Sequence, residues 1–354
     1  MNSNPPLLEV RSLRKSFEAS GRPFVRFVGG RPRLLQAVRD VSLSLEAGET
    51  LGLVGESGCG KSSLGRCIVG LYPPTAGEIL YRGTPLHGNT GGHRTASRRI
   101  QMIFQDPYAS LNPRLSVEAA LTEVLRVHDL AKGKGEIRER VDQLLLTVGL
   151  SPSLKAQLPH AFSGGQRQRI SIARALAVEP EIIVADEPVS ALDVSIQAQI
   201  VNLFIELRER FGLAYIFIAH DLSVVRHISN RIAVMYLGQI VEMAPSKGLF
   251  REPGHPYTRS LLSAIPKPDP EHRRRVVSLE GELPDPYAPP SGCSFSTRCP
   301  IAVERCRTVM PELKEHRARR EVRCHRAFEL PASTTCRYQK APTASSSTTR
   351  GRKS

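Results

Sequence analysis

Short apolar runs punctuated by Gly and Pro alternate along this chain with longer stretches in which apolar residues recur at helical spacing. Thr50–Val54, Ile182–Ala185 and Tyr215–Ala219 are four or five residues long and apolar almost throughout, the pattern of strands buried on both faces of a sheet. A further strand is predicted near Val41–Leu45. Val117–Leu130 and Glu136–Val148 carry apolar residues at helical spacing with charges between them, which predicts two amphipathic helices, and helix formers continue from Gly165 through Ala177. Glu18–Arg33, rich in Gly, Arg and Pro, and the Gly-rich Pro85–Ala96 predict exposed loops. The tail from Cys336 is rich in Ser, Thr, Lys and Arg without apolar period and is expected to be disordered. No run approaches the ~18 apolar residues needed to span a bilayer, and Met1-Asn2-Ser3-Asn4-Pro5-Pro6 lacks a signal-peptide pattern, so membrane contact is expected only through partners.

Chemistry enters where these elements meet. Gly55-Glu56-Ser57-Gly58-Cys59-Gly60-Lys61-Ser62 follows the Thr50–Val54 strand and matches the G-x-x-x-x-G-K-[ST] phosphate loop. Its glycines let backbone N–H groups form a concave nest for phosphate, and the helix starting near Lys61 aims its positive end at the same anion. Lys61 is expected to bridge the β- and γ-phosphates and Ser62 to hold Mg²⁺. The Ile182–Ala185 strand delivers Asp186 and Glu187 to its C-terminal end, where open α/β sheets bind ligands. Asp186 is placed to hold Mg²⁺ through water, and Glu187 to orient or deprotonate an attacking water. Adjacent acids before Pro188 also suit a solvated turn. His220, ending the Tyr215–Ala219 strand, is a candidate γ-phosphate contact, although a lone histidine serves structural ends as readily.

Taken in order, Gly55–Ser62, Gln105 in Phe104-Gln105-Asp106-Pro107, Ser163-Gly164-Gly165-Gln166, Asp186-Glu187, Ser190-Ala191-Leu192-Asp193 and His220 resemble the Walker A, Q-loop, signature, Walker B, D-loop and switch histidine of ABC ATPases. The resemblance covers residues 7–250. It implies a RecA-like P-loop core with an antiparallel β subdomain and a helical subdomain at about 106–162, closing head-to-tail with a second ATPase. ATP is then held by Gly55, Gly58, Cys59, Gly60, Lys61, Ser62 and Ser63, with Gln105 and Asp186 sensing Mg²⁺. Ser163, Gly165, Gln166 and Asp193 would belong to the shared interface, with Ser163 and Gly165 touching the γ-phosphate on the partner's loop. Phe17 stands at the position of the family's adenine-stacking aromatic, a contact worth on the order of 1–3 kcal/mol; it equally suits packing within a small N-terminal sheet. Phe162 departs from the usual Leu but keeps the position apolar.

Charge and cysteines extend the picture. The chain carries a net charge of +15, and residues 271–354 hold 17 Lys and Arg against 9 Asp and Glu. Such a balance suits nucleic acid, an anionic membrane surface, or simply an Arg-rich surface. With 5% aromatics and no Trp, there is little from which to build a base-stacking groove, and no nucleic-acid partner is expected. Seven cysteines are present; four of them, Cys293, Cys299, Cys306 and Cys324, are spaced C-x5-C-x6-C-x17-C. In a reducing compartment such a set points to metal, either tetrahedral Zn²⁺ or an iron–sulfur cluster, and the absence of a C-x2-C knuckle favours the cluster; free thiols in a packed subdomain are the alternative.

His255-Pro256-Tyr257-Thr258, Leu261-Leu262-Ser263-Ala264-Ile265-Pro266 and Gly292-Cys293 through Cys324-His325 resemble the C-terminal extension of ATP-binding subunits of oligopeptide/dipeptide importers, and Phe162–Ile170 resembles their F-type subunit. The resemblance places the extension at 251–330, followed by a tail at 331–354, and implies a [4Fe-4S] cluster on the four cysteines. The implied partners are a second ABC ATPase subunit, two transmembrane permease subunits and, indirectly, an extracytoplasmic peptide-binding protein. The expected location is the cytoplasmic face of the inner membrane. Two other readings share these motifs: a soluble ABC ATPase acting on ribosome or DNA, although neither a second cassette nor a long coiled-coil insertion is visible, and an importer of nickel or a glutathione-like cargo.

Overall fold

The structure, a computed structural model, describes residues 5–18, 33–86, 98–265 and 284–329 of the 354-residue chain. The predicted loops at 18–33 and 85–96 fall mostly outside the described residues, as does the predicted disordered tail. Strands β1 (Leu8–Glu18), β2 (Leu34–Leu45), β4 (Ala76–Tyr81) and β5 (Thr84–Pro85) form an antiparallel sheet in the order β2-β1-β4-β5. The strand expected near Val41–Leu45 thus starts seven residues earlier, at Leu34.

The larger sheet contains β3 (Thr50–Val54), β6 (Ile100–Ile103), β7 (Ile182–Asp186), β8 (Ala214–Ile218), β9 (Arg231–Tyr236), β10 (Gln239–Pro245), β11 (Lys314–Arg317) and β12 (Arg320–Val322), in the order β11-β12-β10-β9-β3-β8-β7-β6. From β9 to β6 all pairings are parallel, and from β9 to β11 all are antiparallel. β3, β7 and β8 are buried at every residue because both sheet faces are covered. Alternation along them divides the core in two. Leu51, Leu53, Ile182, Val184, Ile216 and Ile218 face the antiparallel sheet and the first helix, α1 (Lys61–Ile68). Ile183, Ala185, Tyr215 and Phe217 face the opposite cluster, which includes the helical subdomain. That subdomain contains α2 (Pro107–Ser110), α3 (Val117–Val127) and α4 (Gly133–Thr147), and leads into α5 (Gly164–Leu176).

After β7 follow α6 (Val194–Phe211), α7 (Leu222–Ile228) and α8 (Ser246–Arg251). The C-terminal part supplies α9 (Pro256–Ser263), α10 (Glu304–Thr308) and the β11–β12 hairpin. Because β12 pairs with β10, through Glu242 opposite Val322 and Met243 opposite Glu321, the C-terminal segment lengthens the core sheet itself. Among the described residues no helix is long and apolar enough to cross a membrane.

Candidate nucleotide site and the C-terminal thiol segment

Strand ends and glycines build the phosphate site. β3 ends at Val54, and the chain turns through Gly55 (φ +155°), Gly58 (φ +76°) and Gly60 (φ +104°) into α1. A Cβ on Gly60 would lie 2.0 Å from the Ala37 carbonyl oxygen, and one on Gly55 would lie 2.1 Å from that of Met235, so backbone crowds the loop from two strands. The Lys61 amine, 4% exposed, donates to the carbonyls of Gly55 (2.8 Å) and Glu56 (2.9 Å). It also lies near the Cys59 thiol, whose pKa burial raises.

β7 and β8 bring the remaining groups alongside. Ser62 Oγ donates to Asp186 Oδ1 at 2.8 Å. Burial pushes the Asp186 carboxyl above its ordinary range, with the Ser62 hydroxyl opposing that shift. Glu187 occupies left-handed backbone (φ +46°), and its amide donates to the Ile218 carbonyl at 2.9 Å. Strain of this kind in a non-glycine residue persists where surrounding structure imposes it. Gln105 Nε2 donates to Glu187 Oε2 at 2.8 Å, and His220 Nδ1 lies 3.7 Å from the same oxygen.

A cavity of about 270 Å³ opens over this group. Its wall includes Phe17, Gly58, Gly60, Lys61, Ser62, Ser63, Gln105 and Glu187. Phe17 is half-buried, edge-on to Tyr72 with ring centroids 5.3 Å apart, and Lys15 Nζ lies 4.9 Å from its centroid. The ring therefore packs edge-on against the bend that follows α1 while presenting surface to the cavity. A hydroxyl and a carboxylate in contact at Ser62 and Asp186, with the Gln105 amide on the same rim, form an oxygen set suited to Mg²⁺.

The signature residues lie elsewhere. None of Ser163, Gly165, Gln166 and Asp193 lines the cavity. Ser163 is exposed and caps α5: its hydroxyl accepts from Gln166 N (3.3 Å), while Gln166 Oε1 accepts from Ser163 N (3.0 Å). Gly165 packs against α6, where an added Cβ would meet Ile196 at 2.5 Å. Asp193 is exposed at the N-terminus of α6. α5 thus begins with a capped, solvent-facing N-terminus.

The four cysteines converge in the C-terminal part. Cys293 N donates to the Cys306 carbonyl at 2.7 Å. Burial pushes the Cys293 thiol up to about 11 and the Cys324 thiol up to about 12, and both feel the Cys299 and Cys306 thiols. Among the described residues no three His, Cys, Asp or Glu side chains are drawn together closely enough to hold a metal ion. Four thiolates are the donor type and number that either Zn²⁺ or an iron–sulfur cluster takes.

Spacing alone missed three groups. Glu242, fully buried within β10, accepts from the amides of Gly254 (2.8 Å) and His255 (2.9 Å), pinning the start of α9 to the core sheet. Its signal was present as an acid within the apolar run Ile240-Val241-Glu242-Met243-Ala244. The other two, Tyr257 and Arg298, reach Glu56 in the phosphate loop, a contact no sequence pattern marks.

Comparison with known proteins decides the family. Residues 38–190 match the ABC transporter family model, and residues 241–306 match that of the oligopeptide/dipeptide transporter C-terminal region. The putative oligopeptide transport ATP-binding protein YkfD of Bacillus subtilis is 53% identical over 323 residues, covering 90% of this chain and 95% of that protein. The chain belongs to the ATP-binding subunits of oligopeptide/dipeptide-type ABC transporters. The oligopeptide transport ATP-binding protein OppF of Escherichia coli is 51% identical over 311 residues, 87% of this chain and 92% of its own. Among solved structures, the dimeric post-hydrolysis ATP-binding cassette MJ0796 bound to ADP and Pi matches with a TM-score of 0.58 at 28% identity, covering 68% of this chain and 98% of that one. The fold is thus that of a P-loop ABC cassette, as the motif order implied.

Proposed function

We propose that this protein is the ATP-hydrolysing subunit that powers peptide import through a membrane ABC transporter. The observation that carries the ATPase reading is the convergence of Gln105 and His220 on one carboxylate oxygen of Glu187, beside the Lys61 loop and the Ser62–Asp186 pair. The match at 241–306 and the relatives' role in oligopeptide transport carry the peptide class.

In this reading the loop N–H groups and Lys61 hold the phosphates, and the Lys61 amine exchanges the Gly55 and Glu56 carbonyls for phosphate oxygens. Ser62, Asp186 and Gln105 would hold Mg²⁺, which would supply charge neutralisation for the phosphates. Glu187 orients the attacking water and accepts its proton, Gln105 fixes the carboxylate, and His220, beside it, contacts the γ-phosphate. The γ-phosphate passes to water in line, with positioning and charge stabilisation providing most of the rate. Ser163 and the α5 N-terminus complete a second subunit's site, so two ATP molecules hold two cassettes shut. Closure turns a pair of permease subunits outward to face the peptide-loaded extracytoplasmic receptor. Loss of the γ-phosphate releases both cassettes and resets the importer.

The cassette partner is a second ABC ATPase, in a heterodimer. The protein works peripherally, at the cytoplasmic face of the inner membrane. The four cysteines carry a [4Fe-4S] cluster whose role is structural or redox-sensing, because the thiols lie outside the phosphate cavity.

Glu187→Gln tests the reading. Single-turnover hydrolysis by a cassette pair mutated at both sites is expected to slow by roughly 10²–10⁴-fold while ATP still binds. Near-normal turnover in that pair would sink the assignment.

A further inference from the structure

Glu56, the second residue of the phosphate loop, is held from three directions, and two of them come from the C-terminal part of the chain. Its backbone N–H donates to the Tyr257 hydroxyl at 2.9 Å. Its carboxylate takes a two-pronged grip from Arg298, with Nη1 at 2.9 Å from Oε2 and Nη2 at 3.2 Å from Oε1. Its carbonyl accepts from Lys61. Arg298 is 6% exposed and immediately precedes Cys299. Tyr257 is fully buried, and with Tyr236 and Phe295 forms an aromatic cluster whose ring centroids lie 4.7–5.5 Å apart. Phe295 lies two residues after Cys293, so both the arginine and the packing behind the tyrosine arise from the stretch that carries the thiols.

This arrangement is expensive unless it has a use. A partly buried ion pair adds little net stability because desolvation offsets much of its attraction, and Arg298 Nε is buried with no hydrogen-bond partner. What the pair does fix is geometry, since a planar guanidinium against a carboxylate sets both distance and orientation. The geometry it fixes belongs to a loop whose N–H groups must face phosphate, one residue from the Gly55 carbonyl and on the same peptide that Lys61 grips.

We propose that the thiol-bearing extension is a positioning device for the phosphate loop: Arg298 and Tyr257 set Glu56, so that ATP binding at Lys61 and order in the segment 293–306 are thermodynamically linked. The proposal rests on the nucleotide-site reading above. Linkage is reciprocal, so ATP must tighten the extension by the same factor by which the extension tightens ATP binding.

The test uses the full chain as purified, measuring Mg·ATP affinity by equilibrium titration and hydrogen exchange of amides 293–306 with and without ATP. Arg298→Met is expected to weaken ATP about 10-fold, within the usual range of site-to-site coupling. Arg298→Lys is expected to recover part of that loss, since it restores the charge without the fork. Tyr257→Phe, which keeps the ring, is expected to weaken ATP by about 3-fold, on the scale of one hydrogen bond. ATP is expected to slow exchange in 293–306 about 10-fold in the wild type and to leave it unchanged in Arg298→Met, a ligand-dependent readout that general destabilisation does not produce. A folded Arg298→Met that binds ATP within twofold of wild type, or whose 293–306 amides still respond to ATP as the wild type's do, overturns the linkage while the nucleotide site stands. A wild type that binds no ATP overturns both readings.

Discussion

Asp186 shows how a single residue trades stability for chemistry. It is 2% exposed, and burial raises its carboxyl pKa, with the Ser62 hydroxyl only partly compensating. A carboxyl whose pKa rises on folding binds its proton more readily in the folded state. Stability therefore falls as pH climbs from the ordinary carboxylate value through the raised one, and the loss is complete above it. Near neutral pH, without metal, the ionised Asp186 is a cost that the fold carries. Asp186→Asn keeps an oxygen for Ser62 and removes the charge. The metal-free variant is thus expected to melt a few degrees above wild type at pH 7, with the difference shrinking as pH is lowered toward 4, while Mg²⁺-dependent hydrolysis is lost. Thermal melts across that pH range, paired with ATPase assays, decide it. A variant less stable than wild type at pH 7 would show that the buried charge is compensated by its neighbours.

Among the elements, the signature helix separates what patterns can say from what they cannot. The Ser163–Gln166 signature was legible through its resemblance to the family, whereas its capping box emerged only in the structure, although a Ser followed three residues later by Gln is the local rule that marks one. Phosphate loop, Walker B strand and switch histidine were legible for a different reason: each is a strand end, and parallel strands deliver their C-terminal ends to one edge. The start of β2 was not legible, because Leu34–Asp40 has few fully buried residues and lacks the strict apolar–polar alternation of Val41–Leu45 that marks its second half. The addition of β12 to β10 escaped as well. Lys314–Arg317 and Arg320–Val322 are short and charged, and their pairing is long-range, set by the edge they meet. An exposed, capped α5 N-terminus outside its own cavity yields an element-level prediction: Ser163→Arg leaves ATP affinity at this subunit's own loop within about twofold, yet prevents the ATP-dependent association of two cassettes. A long cation there displaces the phosphate grip offered in trans, and loss of the cap costs the helix about 1 kcal/mol without moving Lys61. Equal loss of nucleotide binding by the isolated subunit would place the signature in the wrong site.

At the scale of the whole molecule, the extension is joined to the cassette at three levels: by strand pairing at β10–β12, by Glu242 buried against the Gly254 and His255 amides, and by Arg298 on the phosphate loop. His255 is so deeply buried that its pKa falls to about 3, so the joint holds a neutral imidazole, whose Nδ1 accepts from Tyr257 N at 3.1 Å. Beyond this joint the thiol segment has little apolar core of its own: among its described residues, Phe295 and the cysteines do most of the packing against the main cluster. A cross-link at four points supplies the missing order, because ligands that are scattered in the unfolded chain turn binding free energy into folding free energy. Protein purified without oxygen is therefore expected to be brown and to contain about four irons per chain. Cys299→Ser removes one ligand beside Arg298 and is expected to lower the iron content and to open the 293–324 segment to proteases, while the Glu187 site still binds ATP, more weakly. Elemental analysis and limited proteolysis read these outcomes directly. One zinc without iron would replace the cluster with a zinc site, and anaerobic protein with neither metal would leave four free thiols packed at the end of the sheet.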